Sequence, residues 1–493
     1  KTLTYEQELA GLERAAKNAL LRRLVTAHIL ATGSTHTYFS EEAGAAQARA
    51  RRWLEVIKAA KLSRVEDAEY LGWIGYMRGD YADAGRWLKL SSGTTPAALW
   101  LKAKLERREG HLAEAAKAMA EAWKTLRDEH AYTGWAGRSR VSDYYSGGDD
   151  FEYVYRGEAP SWSLSQEASG DFAALYLQRA DFVQALDIFF KADLWNDAAY
   201  VAERVLTTTE LKRYVDQLPA KTVSPTPVMA YTFGWQDKIP ATGKLRYLLG
   251  RRLVREHRYN DATPYLQPPF DQILRRYVDS LRAGENEALT KRDRALALFR
   301  AAWIARYDGM EIMGTEMAPD GFTEAGDFPV PDLAAQRVSG KAEQMTYAGE
   351  KKIPSVLRAT RDETKRVAKS GASPDVRFHY RLIAGALAIK AAALLSDNSE
   401  ELPDVINMAG RWTKEQDEKV ADRYFNLLEK RAAQTDIGRA AIARRWFVDM
   451  NGPWSTKLDL DEKQMKKELG LRDPYEEYLQ QQQSPTPTPP SAP

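Results

Sequence analysis

The stretch Leu71–Pro96, LGWIGYMRGDYADAGRWLKLSSGTTP, decides the fold. Its small residues sit where two helices would have to meet. Gly72 lets a partner helix come close, and Ala84 does the same from the next helix. Gly79 lies between them and closes the first helix in a left-handed conformation, which a residue without Cβ adopts freely. Tyr81 is placed to pack back across the pair. Pro96 caps the unit, because proline cannot continue a helix. The stretch therefore reads as a helical hairpin.

The pattern recurs with decay. Ala103, Gly110, Leu112, Ala115, Met119 and Ala122 repeat it one unit later. Ala173, Ala180, Phe182, Ala185, Phe189 and Ala192 form a third copy, and Leu249, Gly250, Tyr259, Ala262 and Leu266 another. The run LWNDAA at 194–199 opens a further helix in the same manner. Such self-similarity marks stacked supersecondary units. Over residues 60–270 the sequence resembles the tetratricopeptide-repeat (TPR) family, with irregular spacing. The resemblance implies an all-α solenoid of TPR-like helical hairpins, in two halves. Its usual output is the binding of a peptide or partner protein on an extended face. Two later stretches, RYDGMEIMGTEMAPDGF (306–322) and RFHYRLIAGALAIKAAALLSDNSEE (377–401), resemble segments of uncharacterised bacterial proteins of this type, which carry no assigned activity.

The rest of the chain is also helix-forming, with Ala, Leu, Glu, Lys and Arg dominant and apolar residues recurring at three and four. Leu9, Leu12, Ala16, Leu20, Leu24 and Ile29 fall along one stripe of a first long helix that Gly33 and Ser34 end. Arg292–Met313 reads as one long helix, and Arg377–Leu395, Leu402–Trp412 and Val420–Leu428 follow; the last two suggest one more hairpin. No set of segments alternates Val, Ile and Thr as strands would. The boundaries that follow are a helical region at 1–132, an aromatic-rich insertion at 133–169, helices at 170–219, a linker at 220–242 and a C-terminal helical domain at 243–470. The Gln- and Pro-rich tail at 471–493 is expected to be disordered.

Composition removes several function classes. The 493 residues carry 71 Lys plus Arg against 69 Asp plus Glu, a net charge of +2 that gives no global pull toward nucleic acid or acidic membrane. With no Cys there is no disulfide, thiolate nucleophile or iron–sulfur cluster. No apolar run reaches the roughly 18 residues a membrane span needs. The first residue is Lys1 rather than Met, which a trimmed chain and a removed secretory signal explain equally well. Taken with the family resemblance, this favours the periplasm or cell envelope of a bacterium, with the cytoplasm left open.

Candidate chemistry is sparse. No Walker loop, dinucleotide fingerprint, nucleophile elbow or HExxH pair occurs, and the six His are scattered. Glu311, Glu316 and Asp320 could hold a divalent cation, but internal salt bridges explain them more simply. Gly147–Asp150 reads as a turn with an acidic tip. The Arg pairs at 22–23, 51–52, 251–252 and 444–445 read as ordinary charged helix faces. Two features suit a binding surface. The insertion presents Trp135, Tyr144, Tyr145, Tyr153, Tyr155 and Trp162 among Asp and Arg. On the later helix, Arg377 and Arg381 share a face around His379, where two guanidiniums could grip an anion or pair with an internal acid such as Glu311 or Glu316. The expectation is a non-enzymatic scaffold or adaptor without metal or cofactor. The alternatives are a receptor for a small anionic or glycan ligand, a structural subunit of an envelope assembly, or a hydrolase using an unidentified carboxyl pair.

Overall fold

The computed structural model describes residues 5–33, 41–62, 65, 68–127, 164–219, 240–322, 326, 330–346, 349–354 and 358–471. In chain order the helices are α1 (Tyr5–Lys17), α2 (Ala19–Gly33), α3 (Glu41–Ala59), α4 (Ala68–Met77), α5 (Tyr81–Leu90), α6 (Pro96–Glu109), α7 (Leu112–Leu126), α8 (Leu164–Gln178) and α9 (Phe182–Lys191). Next come α10 (Trp195–Tyr200), a π-helical turn (Val201–Val205), α11 (Thr208–Gln217), α12 (Ala241–Arg255), α13 (Tyr259–Ala262), α14 (Phe270–Glu285), α15 (Lys291–Tyr307), α16 (Gly309–Met313) and α17 (Leu333–Ser339). The last are α18 (Arg361–Val367), α19 (His379–Leu394), α20 (Leu402–Thr413), α21 (Glu418–Ala432), α22 (Asp436–Arg444) and α23 (Pro453–Glu468). The one exception to helix among the described residues is an antiparallel hairpin, β1 (Lys341–Thr346) with β2 (Gly349–Pro354), registered Lys341 to Pro354 and Thr346 to Gly349. Its Lys-, Glu- and Gln-rich strands give no strand signal in the sequence.

The chain forms two compact units. Unit 1 comprises residues 1–194 with 337–362, and unit 2 comprises 195–336 with 363–493. In unit 1, α4 packs on α5, α6 on α7, α7 on α8 and α8 on α9. In unit 2, α12 packs on α11, α13 and α16, while α15, α19, α20 and α21 pack in series. The core of unit 2 is aromatic: fully buried Phe299 stacks on Trp412 at 5.9 Å and on Trp454 at 6.2 Å.

One local turn recurs along the chain, and four of its copies fall where the sequence pattern repeats. Gly79, Gly110, Ala180 and His257 each have positive φ, at 79°, 86°, 61° and 59°. The next residue's N–H reaches back five residues in every case: Asp80 to Gly75, His111 to Glu106, Asp181 to Tyr176 and Arg258 to Leu253, all at 2.9 Å. This is the Schellman closure of a helix C-terminus. The small residue that lets helices approach stands on the helix before each turn (Gly72, Ala103, Ala173, Gly250), and the buried alanine on the helix after it (Ala84, Ala115, Ala185, Ala262). A Cβ on Gly72 would lie 2.7 Å from Leu101 Cδ2, and one on Gly250 would lie 2.7 Å from Leu266 Cδ2, so a larger residue at either position would have to push a leucine aside.

Several helix boundaries differ from the sequence reading. Pro96 opens α6 instead of closing the preceding unit, with Thr95 as N-cap accepting from Ala98 N–H at 3.1 Å. The first long helix is two. Asn18 interrupts it, and its Oδ1 accepts the Leu21 N–H at 3.1 Å, as an N-cap for α2. The break rotates the expected stripe, so Ala16 and Ile29 stay buried but Leu20 and Leu24 do not. Arg292–Met313 is likewise broken, at fully buried Asp308, into α15 and α16.

Candidate functional site

Two places stand out, one an exposed apolar patch and the other a buried polar centre. The first is the face of α2. Leu20, Leu21 and Leu24 are 67%, 45% and 58% exposed, whereas Arg22 between them is buried and donates to the Ala16 carbonyl at 3.1 Å. Leu20 and Leu24 stand one helical turn apart, and Leu21 adjoins Leu24 across the same turn, so the three form one apolar patch. Helices normally turn such a row inward.

The second place is a buried polar centre in unit 2, beneath the segment 308–322. Arg251 of α12 is almost fully buried; it pairs with Glu316 and lies 3.8 Å from the Phe322 ring centre. Arg255, one turn on, donates to Glu203 at 2.7 Å and to the Gly314 carbonyl at 2.7 Å. Glu203 also accepts the Glu316 and Met317 N–H groups at 3.0 and 2.8 Å. Trp195 donates to Glu316 at 3.0 Å. Buried Asp320 accepts from Thr315 N–H at 2.8 Å and from Phe378 N–H at 2.5 Å. Burial pushes its carboxyl up, but His379 and these backbone donors outweigh that and hold it below the usual range.

Arg377, His379 and Arg381 converge on the same region, in a different arrangement from the one the sequence suggests. Phe378 adopts the left-handed conformation with φ 56°, so α19 begins only at His379 and Arg377 lies outside it. The two guanidiniums meet instead on the Phe378 ring, with Cζ atoms 4.7 and 4.4 Å from its centre. Arg377 donates to the Gly326 carbonyl, and Arg381 lies 3.6 Å from Glu415. His379 is buried, with Nδ1 3.1 Å from Asp320 Oδ2. Of the acids suggested as partners, Glu316 is taken by Arg251. The aromatic set Trp135, Tyr144, Tyr145, Tyr153, Tyr155 and Trp162 lies outside the described residues, as do Gly147–Asp150 and most of the 220–242 linker.

The pair Arg251–Arg252 corrects the reading of it as a charged helix face. Both are buried, because α12 is surrounded on several sides; Arg252 satisfies the Leu206 carbonyl at 3.0 Å. Nothing in the sequence signalled it, since Arg251, Arg252 and Arg255 lie on one side of the helix as a solvated face would. Glu203, Arg255, Asp308, Glu462 and Lys466 gave no signal either, since they come together only in space.

Glu106, Glu109 and His111 bring potential ligand atoms within 4.8 Å of one another. Hydrogen bonding to Glu106, at 2.9 Å, raises the His111 pKa. A metal needs the neutral ring, so this arrangement suits an exposed ion pair better. Comparison with protein families, curated proteins and solved structures gives no match to this chain.

Proposed function

We propose that the chain is a non-enzymatic scaffold whose helical hairpins form an irregular TPR-like solenoid and which binds a partner protein or peptide. The observation that carries the reading is the leucine patch on α2. Its three side chains gain nothing by facing water, and burying each against a partner would contribute about 1.5–3 kcal/mol. The buried polar centre supports the same reading from the other side. Its charged groups are engaged by one another and by backbone groups that shape the 308–322 segment. The aromatic insertion at 133–169 is a second contact region on this reading, and the setting is a bacterial cell envelope.

The test is an affinity capture from the envelope fraction of the source organism. Intact chain, a Leu20→Lys/Leu24→Lys variant and a variant with 133–169 replaced by a short Gly/Ser linker serve as parallel baits. One identified protein retained by the intact chain and lost with the leucine variant supports the reading. Identical capture profiles for intact chain and leucine variant would sink it.

A further inference from the structure

Three carboxyls meet where α23 docks near the α15–α16 break. Fully buried Asp308 receives Lys466 Nζ of α23 at 2.9 Å. Glu462, one turn earlier on α23, is buried and pairs with Arg276 of α14 at 2.8 Å. Glu311 of α16 is half-buried as a residue, but its Oε2 is shut off from solvent and has no hydrogen-bond partner among the described residues. The other groups facing this cluster are already engaged or uncharged. Arg251 of α12 pairs with Glu316, and Arg300 of α15 faces Asp461 at 3.8 Å. Tyr247 of α12 donates its hydroxyl to the Glu311 carbonyl at 2.6 Å, and burial keeps the Tyr380 phenol of α19 neutral.

Two cations, Lys466 and Arg276, pair directly with the cluster, while Arg251 and Arg300 act on Glu311 and Glu462 from further off. With all three ionised, Glu311 has no cation at contact distance while its Oε2 is shut off from solvent, and such a group is favoured in its neutral, protonated form. Glu311 is the carboxyl without a cation of its own. We propose that the cluster is a proton-operated latch: protonated Glu311 holds the C-terminal half of α23 in place, and loss of that proton above neutral pH loosens it. The opposite end of α23 is fixed independently. Asp404 of α20 accepts the N–H groups of Gly452, Trp454 and Ser455 at 2.9, 3.1 and 2.8 Å. The pH response is thus confined to the last turns of the helix, ahead of the Gln- and Pro-rich tail.

The titration agrees in direction. Burial, then Asp308, pushes Glu311 up to about 7, and the same two causes push Glu462 up to about 6. Raised carboxyls favour the folded state while protonated. Docking is therefore strongest below the ordinary carboxyl value of 4.5 and weakens as pH climbs through about 7.

The test is amide hydrogen exchange of the full chain, read on peptides covering 460–471 and corrected for intrinsic exchange. Between about pH 5.5 and about pH 8.5, protection there should fall by roughly tenfold or more, while peptides from α15 and α20 hold theirs. Glu311→Gln should keep the low-pH protection across the range. Glu462→Gln, which also removes one negative charge, should flatten the response too and serves if the first variant folds poorly. Protection of 460–471 that does not change with pH, or that falls equally in wild type and both variants, would overturn the latch.

Discussion

Arg251 and Glu316 form an ion pair inside unit 2 with side chains only 1% and 5% exposed. The pair ties α12 to the segment that follows α16, and Arg255 with Glu203 repeats the tie one helical turn away. Removing one member of such a pair leaves a lone buried charge, which costs about 3–5 kcal/mol. Glu316→Ala should lose stability in that range, measured by urea denaturation. Arg251→Met combined with Glu316→Leu should recover most of the loss, because neither charge then remains. A Glu316→Ala variant with the wild-type midpoint would show that the pair is not desolvated.

The four repeated turns predict effects of opposite sign. Gly79→Ala places a Cβ in the left-handed region and should destabilise unit 1 by about 1–2 kcal/mol. Ala180 already bears that strain at φ 61°, so Ala180→Gly should be neutral or stabilising by up to about 1 kcal/mol. Thermal denaturation of both variants checks this. Equal shifts of the same sign would mean that the turns are not equivalent.

Those hairpins were legible in the sequence because they rest on local rules: a small residue, a closing turn and an alanine on the return helix, although the closure at His257 carried no sequence signal. The breaks were not. Asn18 sits in a run of Ala, Leu and Arg whose periodicity continues across it, and only the cap it makes to Leu21 reveals two helices. Asp308 is similar, since its burial depends on Lys466, far away in sequence. The site was less legible than the fold. Sequence periodicity assigned Leu20 and Leu24 to a core stripe, and the break at Asn18 turns them outward.

Asp404 anchors α23 through three backbone N–H groups and the Ser455 hydroxyl, which donates to it at 2.6 Å. Hydrogen bonds to a charged group contribute about 1.5–3 kcal/mol each and are not additive. Asp404→Ala should therefore cost about 3 kcal/mol in chemical denaturation. It should also expose amides 453–458, at the end of α23 away from the latch. Faster exchange at 460–471 alone would contradict this division.

Acid should weaken unit 1 through one carboxyl. Burial pushes the Asp171 carboxyl up, but Lys104 at hydrogen-bond distance and Arg107 at 3.1 Å outweigh that and hold it below 3.8. A lowered carboxyl stabilises the folded state above its unfolded value, and that stability disappears as pH falls through the folded value. Asp171→Asn should thus lower the melting temperature at neutral pH and narrow its gap to wild type as pH drops below about 4. A gap that stays constant as the pH falls further below about 4 would rule out the charge pairing as its origin.

The proposed function depends most on the α2 leucines meeting another protein. Lysine at Leu20 and Leu24, both already exposed, should leave folding stability within about 0.5 kcal/mol of wild type, so lost binding could not be blamed on unfolding. The direct measurement is photocrosslinking in intact cells, with a photoreactive residue in place of Leu24 and another in place of exposed Lys17 on α1 as the control. One discrete adduct with a second protein is expected at Leu24 and none at Lys17. No adduct at Leu24, or the same diffuse pattern at both positions, would contradict it.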